Sequence, residues 1–157
     1  MIKQIQWFPG HMFKSLREIR EKIKLMDIVI VLLDARLPFS SMNPELKKII
    51  SHKPVILLFN KMDLSDQSVL SHWMTHYQHE GYQTLKIDAQ TGKNTQKIHP
   101  LAQEVLKEKL TREKNKGLNQ ERILITISHP DTIEELVNLA ITSKAKNNAA
   151  FYGLNVI

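Results

Sequence analysis

The sequence predicts an α/β domain, a mainly parallel sheet with helices on both faces, and three observations carry that expectation. The runs DIVIVLLDAR and PVILLFN are apolar at nearly every position, as in strands buried on both faces. Segments with apolar residues three and four apart stand around them, the spacing of amphipathic helices. Strand-like and helix-like segments also alternate, which builds a parallel sheet. At 157 residues the chain suits one domain. A domain of this size buries about 68–70% of its unfolded surface.

Taken in order, residues 11–26 predict a helix, with Met12, Leu16, Ile19, Ile23 and Met26 on one face and Lys14, Arg17, Glu18, Glu21 and Lys22 on the others. The two buried strands follow. Ser65 to Glu80 predicts a helix with Val69, Trp73 and Tyr77 on one face, ended by Gly81. TLKIDA is a third strand. Gln96 to Lys116 predicts a long helix with Ile98, Leu101, Val105 and Leu106 inward and Gly117 as its stop. RILITI is a fourth strand, and Asp131 to about Lys144 a further helix. Residues 145–157 are weakly patterned, although GLNVI suits a short edge strand.

Composition narrows the function. Lys and Arg number 22 against 16 Asp and Glu, a formal charge of +6. That balance favours a polyanionic partner such as RNA, although a basic surface can be merely solubilising. Lys14 to Lys24 concentrates it, which makes Lys14, Arg17, Arg20 and Lys24 candidate RNA contacts. Cysteine is absent, which excludes disulfides and thiolate metal sites. No apolar run approaches the ~20 residues that span a bilayer, so a cytoplasmic protein without a membrane partner is expected. His72, His76 and His79 share a helical face, but no carboxylate or cysteine completes a local ligand set. They are read as solvated histidines, and no metal site is expected.

The sharpest motif is LLFNKMDL, in which a buried strand runs into Asn60-Lys61-Met62-Asp63. Ligands bind at the C-terminal ends of parallel strands. There the Asp63 carboxylate can accept hydrogen bonds from guanine N1–H and from the exocyclic amine, neither of which adenine offers in that geometry. Lys61 can lay its aliphatic stem over the base with its ammonium in water. Asn60 can bond to the base edge or tie adjoining loops together. The same residue types are common in surface turns. The third strand, however, ends in Asp88-Ala89-Gln90, where the Ala89 N–H can donate to guanine O6. Together the two segments read as a guanine site.

With IQWFPGHM, REIREKIKLMDIVIVLLDARLPFSSMNPEL, NKMDL and EKLTREKNKGL, the chain resembles the ribosome biogenesis GTPase A family, of the circularly permuted GTPases, over roughly residues 2–125. The resemblance implies a permuted P-loop GTPase-like domain that binds GTP or GDP with Mg²⁺ and acts on the large ribosomal subunit or its RNA; a monomer or weak dimer is expected. It also implies a catalytic role for His11 of the PGHM motif; the residues by themselves suit a helix-entry turn anchored by Trp7 and Phe8. A histidine can orient or relay a proton near neutral pH.

The family's phosphate loop, G-x-P-N-x-G-K-S, aligns with Ser128-His129-Pro130-Asp131-Thr132-Ile133-Glu134-Glu135, and only the proline matches. Glycines let backbone N–H groups curl round phosphates, lysine supplies charge, and the hydroxyl holds Mg²⁺. Ile133 stands in place of a glycine, Glu134 of the lysine and Glu135 of the hydroxyl, so no Mg²⁺ ligands are evident. Asp131 and Glu134 instead make a helix start of capping-box type. The sequence stops at Ile157 before any D-x-P-G segment. The expectation is therefore one truncated, incomplete domain over 1–157, with an N-terminal helix at 11–26, a guanine-reading half at 27–92 and a degenerate phosphate-loop region at 123–145. Its expected function is guanine-nucleotide binding with hydrolysis lost. The alternatives are a nucleotide-independent ribosome- or RNA-binding module and a non-functional remnant.

Overall fold

The computed structural model describes residues 10–107, 109, 111, 122–127 and 150–155. Five strands form one sheet: β1 (Ile28–Asp34), β2 (Val55–Asn60), β3 (Gln83–Lys86), β4 (Arg122–Ile127) and β5 (Ala150–Asn155). All are parallel, in the order β3-β2-β1-β4-β5. The α/β class and the parallel sheet are as the sequence predicts. Gly153, Leu154 and Asn155 of GLNVI belong to the edge strand β5, which begins earlier than its weak pattern indicates, at Ala150; residues 156 and 157 lie outside the described residues.

Successive strand residues point to opposite faces, and here both faces are core. Val29, Val31 and Leu33 of β1 join Val55, Leu57 and Phe59 of β2 on one side. Ile28, Ile30 and Leu32 join Ile56 and Leu58 on the other. The first face is covered by α1 (Gly10–Lys22) with its 3-10 extension Ile23–Leu25, by α3 (Pro44–Ile50) and by α4 (Gln67–His79). The second is covered by α5 (Ile98–Val105), through Ile98 and Ala102. A short helix α2 (Pro38–Ser41) leads from β1 towards α3.

Several boundaries depart from expectation for identifiable reasons. The helix predicted over 11–26 is α-helical to Lys22 and tightens into the 3-10 turn before β1. The helix predicted from Ser65 begins at Gln67, because Asp66 caps it by accepting from the N–H groups of Ser68 (2.9 Å) and Val69 (3.0 Å). Its buried stripe runs through Leu70 and Tyr77, whereas Val69 is 54% exposed. Gly81, at φ 93°, ends it in the left-handed conformation that glycine adopts without strain. The helix predicted from Gln96 opens as a 3-10 turn at Thr95–Lys97; its predicted end at 112–116 and the helix predicted from Asp131 lie outside the described residues.

The strand order fixes where a ligand can sit. The chain winds outward from β1 to β2 and β3, then returns past β1 to β4 and β5. It changes direction between β1 and β4, and in open parallel sheets the ligand crevice lies at the C-terminal ends of such a pair. Among the described residues no helix is long and apolar enough to cross a membrane.

Candidate functional site

Asn60 is the last residue of β2, 1% exposed, and register pairs it with Asp34 at the end of β1. Its Oδ1 accepts the Ala89 N–H at 3.0 Å, and its carbonyl accepts the Ala35 N–H at 2.8 Å. Of the two roles the sequence leaves to Asn60, tying neighbouring loops together is the one made here. The Ala89 N–H, read from sequence as a donor to guanine O6, is directed at Asn60 instead.

Lys61 adopts φ 61°, ψ 39°, the left-handed region that non-glycine residues rarely enter. Such local strain clusters at functional sites. It turns the chain sharply out of β2 into a 3-10 turn over Met62–Leu64. Met62 then plugs back into the core, its N–H donating to the Ile87 carbonyl at 3.2 Å, while Asp63 stays exposed. One strand over, Asp88 is 6% exposed and organises its own loop. Its carboxylate accepts from the N–H groups of Gln90 (3.0 Å) and Thr91 (3.3 Å) and from the Thr91 hydroxyl. The Thr91 hydroxyl, ahead of burial's opposing effect, holds that carboxyl below the usual carboxylate range. The structure thus brings Asn60, Lys61, Asp63, Asp88 and Ala89 to adjoining strand ends.

His11 lies in the first turn of α1. That helix packs on the sheet and returns to the N-terminal end of β1. Ser128, Pro130, Asp131, Thr132, Glu134 and Glu135 lie outside the described residues; β4, which leads to them, ends beside β1.

Two features went unread in the sequence. Arg36, just past β1, grips Asp34: its backbone N–H and Nε donate to Oδ1 (both 2.9 Å) and Nη2 donates to Oδ2 (2.6 Å). This pairing keeps the Asp34 carboxyl low against the opposing effect of burial. Elsewhere α1 and α3 enclose a groove of about 400 Å³ lined by Arg20, Lys24, His52, Ile23 and Ile49 and by Lys48, which pairs with Glu45 of the same groove at 2.6 Å. Of the predicted RNA contacts, Lys14, Arg17, Arg20 and Lys24 are all exposed, but Arg17 pairs with Glu21 at 3.2 Å. The exposed His76 stacks edge-on against Trp73 and Tyr77 and lies 3.6 Å from Glu80.

No family model matches the chain. Ribosome biogenesis GTPase A of Bacillus licheniformis is 47% identical over 119 residues, which is 76% of this chain and 42% of that protein. The chain belongs to the ribosome biogenesis GTPase A family. The GTPase A of Bacillus cereus is 38% identical over 149 residues, 95% of this chain and 50% of its own length. That match extends past residue 125, where the sequence resemblance stops, and takes in the turn at 128–135. Mouse mitochondrial ribosome-associated GTPase 1 is 48% identical over 61 residues, 39% of this chain and 19% of that protein. The chain spans about half the length, or less, of the GTPase A relatives it matches.

Proposed function

We propose that this chain binds guanine nucleotides through its Asn60–Asp63 and Asp88–Ala89 strand ends, in a permuted GTPase-like arrangement, and takes part in ribosome assembly in the cytoplasm on the large subunit or its RNA. The observation that carries the reading is the left-handed Lys61, which projects Asp63 from a buried strand beside the Asp88–Gln90 loop. An exposed carboxylate there meets a donor pair that only a guanine-like base offers. The names of the GTPase A relatives support GTP as ligand and ribosome assembly as setting.

Calorimetry with GDP, GTP, guanosine and ATP tests the reading. Guanine ligands are expected to bind, weakly, and ATP not to bind. A hydrogen bond to a charged group contributes about 1.5–3 kcal/mol, so losing one from Asp63 costs roughly 10–100-fold. Asp63→Asn exchanges a double acceptor for a mixed group and should turn preference towards xanthine nucleotides. Equal affinity for ATP and GTP, unmoved by Asp63→Asn, refutes guanine recognition.

The proposal includes loss of hydrolysis by this chain alone. Phosphoryl transfer depends on a lysine, a magnesium ion and backbone donors around the phosphates. At the aligned turn Glu134, Glu135 and Ile133 supply none of these. The base-side residues fit a guanine nucleotide, whereas the phosphate-side residues do not fit its Mg²⁺ complex. Losing one such donor typically costs ~2.7–4 kcal/mol of transition-state stabilisation. Single-turnover phosphate release, with and without large ribosomal subunits, should stay at the uncatalysed rate. Release above it that is abolished by His11→Ala overturns this part and assigns His11 a catalytic role.

The basic α1–α3 groove favours a second reading, RNA binding independent of nucleotide. Ribosomal RNA affinity that ignores GDP, in a chain that fails the calorimetric test, would establish it.

A further inference from the structure

We propose that Gln67 and Asn94 are positioning residues for the base-reading turn: with Lys86 they brace Met62 from behind, so that Asp63 meets guanine in a fixed place. This inference rests on the guanine-binding reading above and deepens it.

The turn needs support. A 3-10 turn is short and its hydrogen bonds are poorly aligned. Over Met62–Leu64 the backbone supplies a bond from the Leu64 N–H to the Lys61 carbonyl at 3.1 Å, and one from the Ser65 N–H to the Met62 carbonyl at 3.5 Å. The second is longer than an ordinary N–H···O bond. Side chains make up for it. Nε2 of Gln67, the first residue of α4, donates to the Met62 carbonyl at 2.6 Å, and the Ser65 hydroxyl donates there at 2.9 Å.

Gln67 is held in turn. Its Oε1 accepts from Nζ of Lys86, the last residue of β3, at 2.9 Å. The Lys86 carbonyl accepts from Asn94 Nδ2 at 3.0 Å, and the same amide nitrogen lies 3.7 Å from Met62 Sδ. These contacts close a ring, from Met62 to Gln67 to Lys86 to Asn94 and back, that ties the turn after β2 to the end of β3. Asn94 stands at φ 65°, and among the described residues it and Lys61 are the two non-glycine residues with positive φ. One lies in the ring and the other directly precedes it. Asparagine enters that region at less cost than most residues, and strained backbone persists where its surroundings over-determine it.

Met62 is 7% exposed, so the ring grips a side chain already plugged into the core, and Asp63 is the next residue of the chain. None of the ring's bonds uses the Asp63 carboxylate, which keeps its acceptor positions for a base. A carboxylate that must accept two hydrogen bonds from one base edge tolerates little displacement, and its supporting residues decide how little.

The test uses Gln67→Met, which keeps the length of the side chain and loses both hydrogen bonds, and Asn94→Gly, which keeps the left-handed backbone and loses the amide. Both are compared with the unaltered chain, after thermal melting, for binding of GDP and of inosine diphosphate, whose base lacks the exocyclic amine. The unaltered chain should favour GDP by roughly 10-fold or more, the worth of a hydrogen bond to a charged group. Either substitution should weaken GDP roughly 3–10-fold and inosine diphosphate less, so that the ratio falls. In an Asp63→Asn background the same substitutions should change GDP affinity by less than about two-fold. A ratio that keeps its unaltered value, whatever happens to affinity or melting, overturns the positioning role and leaves guanine binding standing. A loss undiminished by Asp63→Asn overturns it too. Should the unaltered chain bind neither nucleotide, the guanine reading itself falls. The brace is then decided in the free protein: the backbone carbon shifts of Lys61, set by its left-handed conformation, should move in both variants, and unmoved shifts refute it.

Discussion

Asp27 stands where the chain enters β1, 4% exposed, and holds two distant segments together. Its Oδ2 accepts the Arg122 N–H at 2.9 Å, its Oδ1 accepts from Arg122 Nη2 at 3.1 Å, and Lys109 Nζ donates to Oδ1 as well. Burial alone would raise this carboxyl's pKa; the hydrogen bonds from Arg122 and Lys109 outweigh it and hold the pKa below the ordinary value. A depressed folded-state pKa means that the stabilisation is fully present above the unfolded value of about 3.9 and is lost as pH falls through the lower folded value. Asp27→Asn should therefore cost about 1.5–3 kcal/mol at pH 7 and flatten the fall in stability below about pH 4; urea unfolding across pH 2.5–7 (about) measures both. This role was not legible in the sequence, because Lys109 and Arg122 are 82 and 95 positions away. Asn60, Lys61 and Asp63 were legible because one turn of chain fixes their relation. What no local pattern could disclose was that the Ala89 N–H is directed at Asn60, a bond across 29 positions.

At the scale of elements, the first helix was legible from its spacing, and Leu16, Ile19, Ile23 and Met26 are indeed buried. α2 and α3 were not read, although a signal was present. Asn43 precedes Pro44 and Glu45, and its Oδ1 accepts from the N–H groups of Glu45 (2.9 Å) and Leu46 (3.3 Å), a cap followed by proline at the first helical position. Missing α3 hid half of the basic groove. Lys48 and His52 come from its end and line the groove with Arg20 and Lys24 from the end of α1 and its 3-10 turn, which no single stretch of sequence reveals. If the groove receives RNA, Arg20→Gln and Lys24→Gln together should weaken ribosomal RNA binding. They should also reduce the slope of log affinity against log salt, by roughly 0.7–0.9 for each phosphate that is no longer neutralised. Arg17→Gln and Lys48→Gln, at residues already paired with Glu21 and Glu45, should do little. Filter binding at several salt concentrations is the measurement; an unchanged slope would leave these residues as solubilising charge.

For the whole molecule, the alternation of apolar runs and helical patterns was enough to establish a parallel α/β sheet, since burial on both faces leaves its mark on every residue of β1 and β2 but the last, Asp34 and Asn60. The order of the strands was not open to the same reading, because no residue of β4 records that it lies beside β1 and not beside β3. That order has a consequence for the chain as it is made. β1 is central, but its second neighbour, β4, begins only at Arg122. Synthesis at ~5–20 residues per second leaves β1 with one completed side for roughly 3–13 s while the intervening chain emerges. During that interval Ile28–Asp34 offers unpaired backbone groups on a strand whose two faces are apolar, the form of edge that invites pairing with other chains. The newborn protein is thus most vulnerable at what becomes its best-protected strand, and a chain paused before Arg122 is the species a chaperone would have most reason to hold.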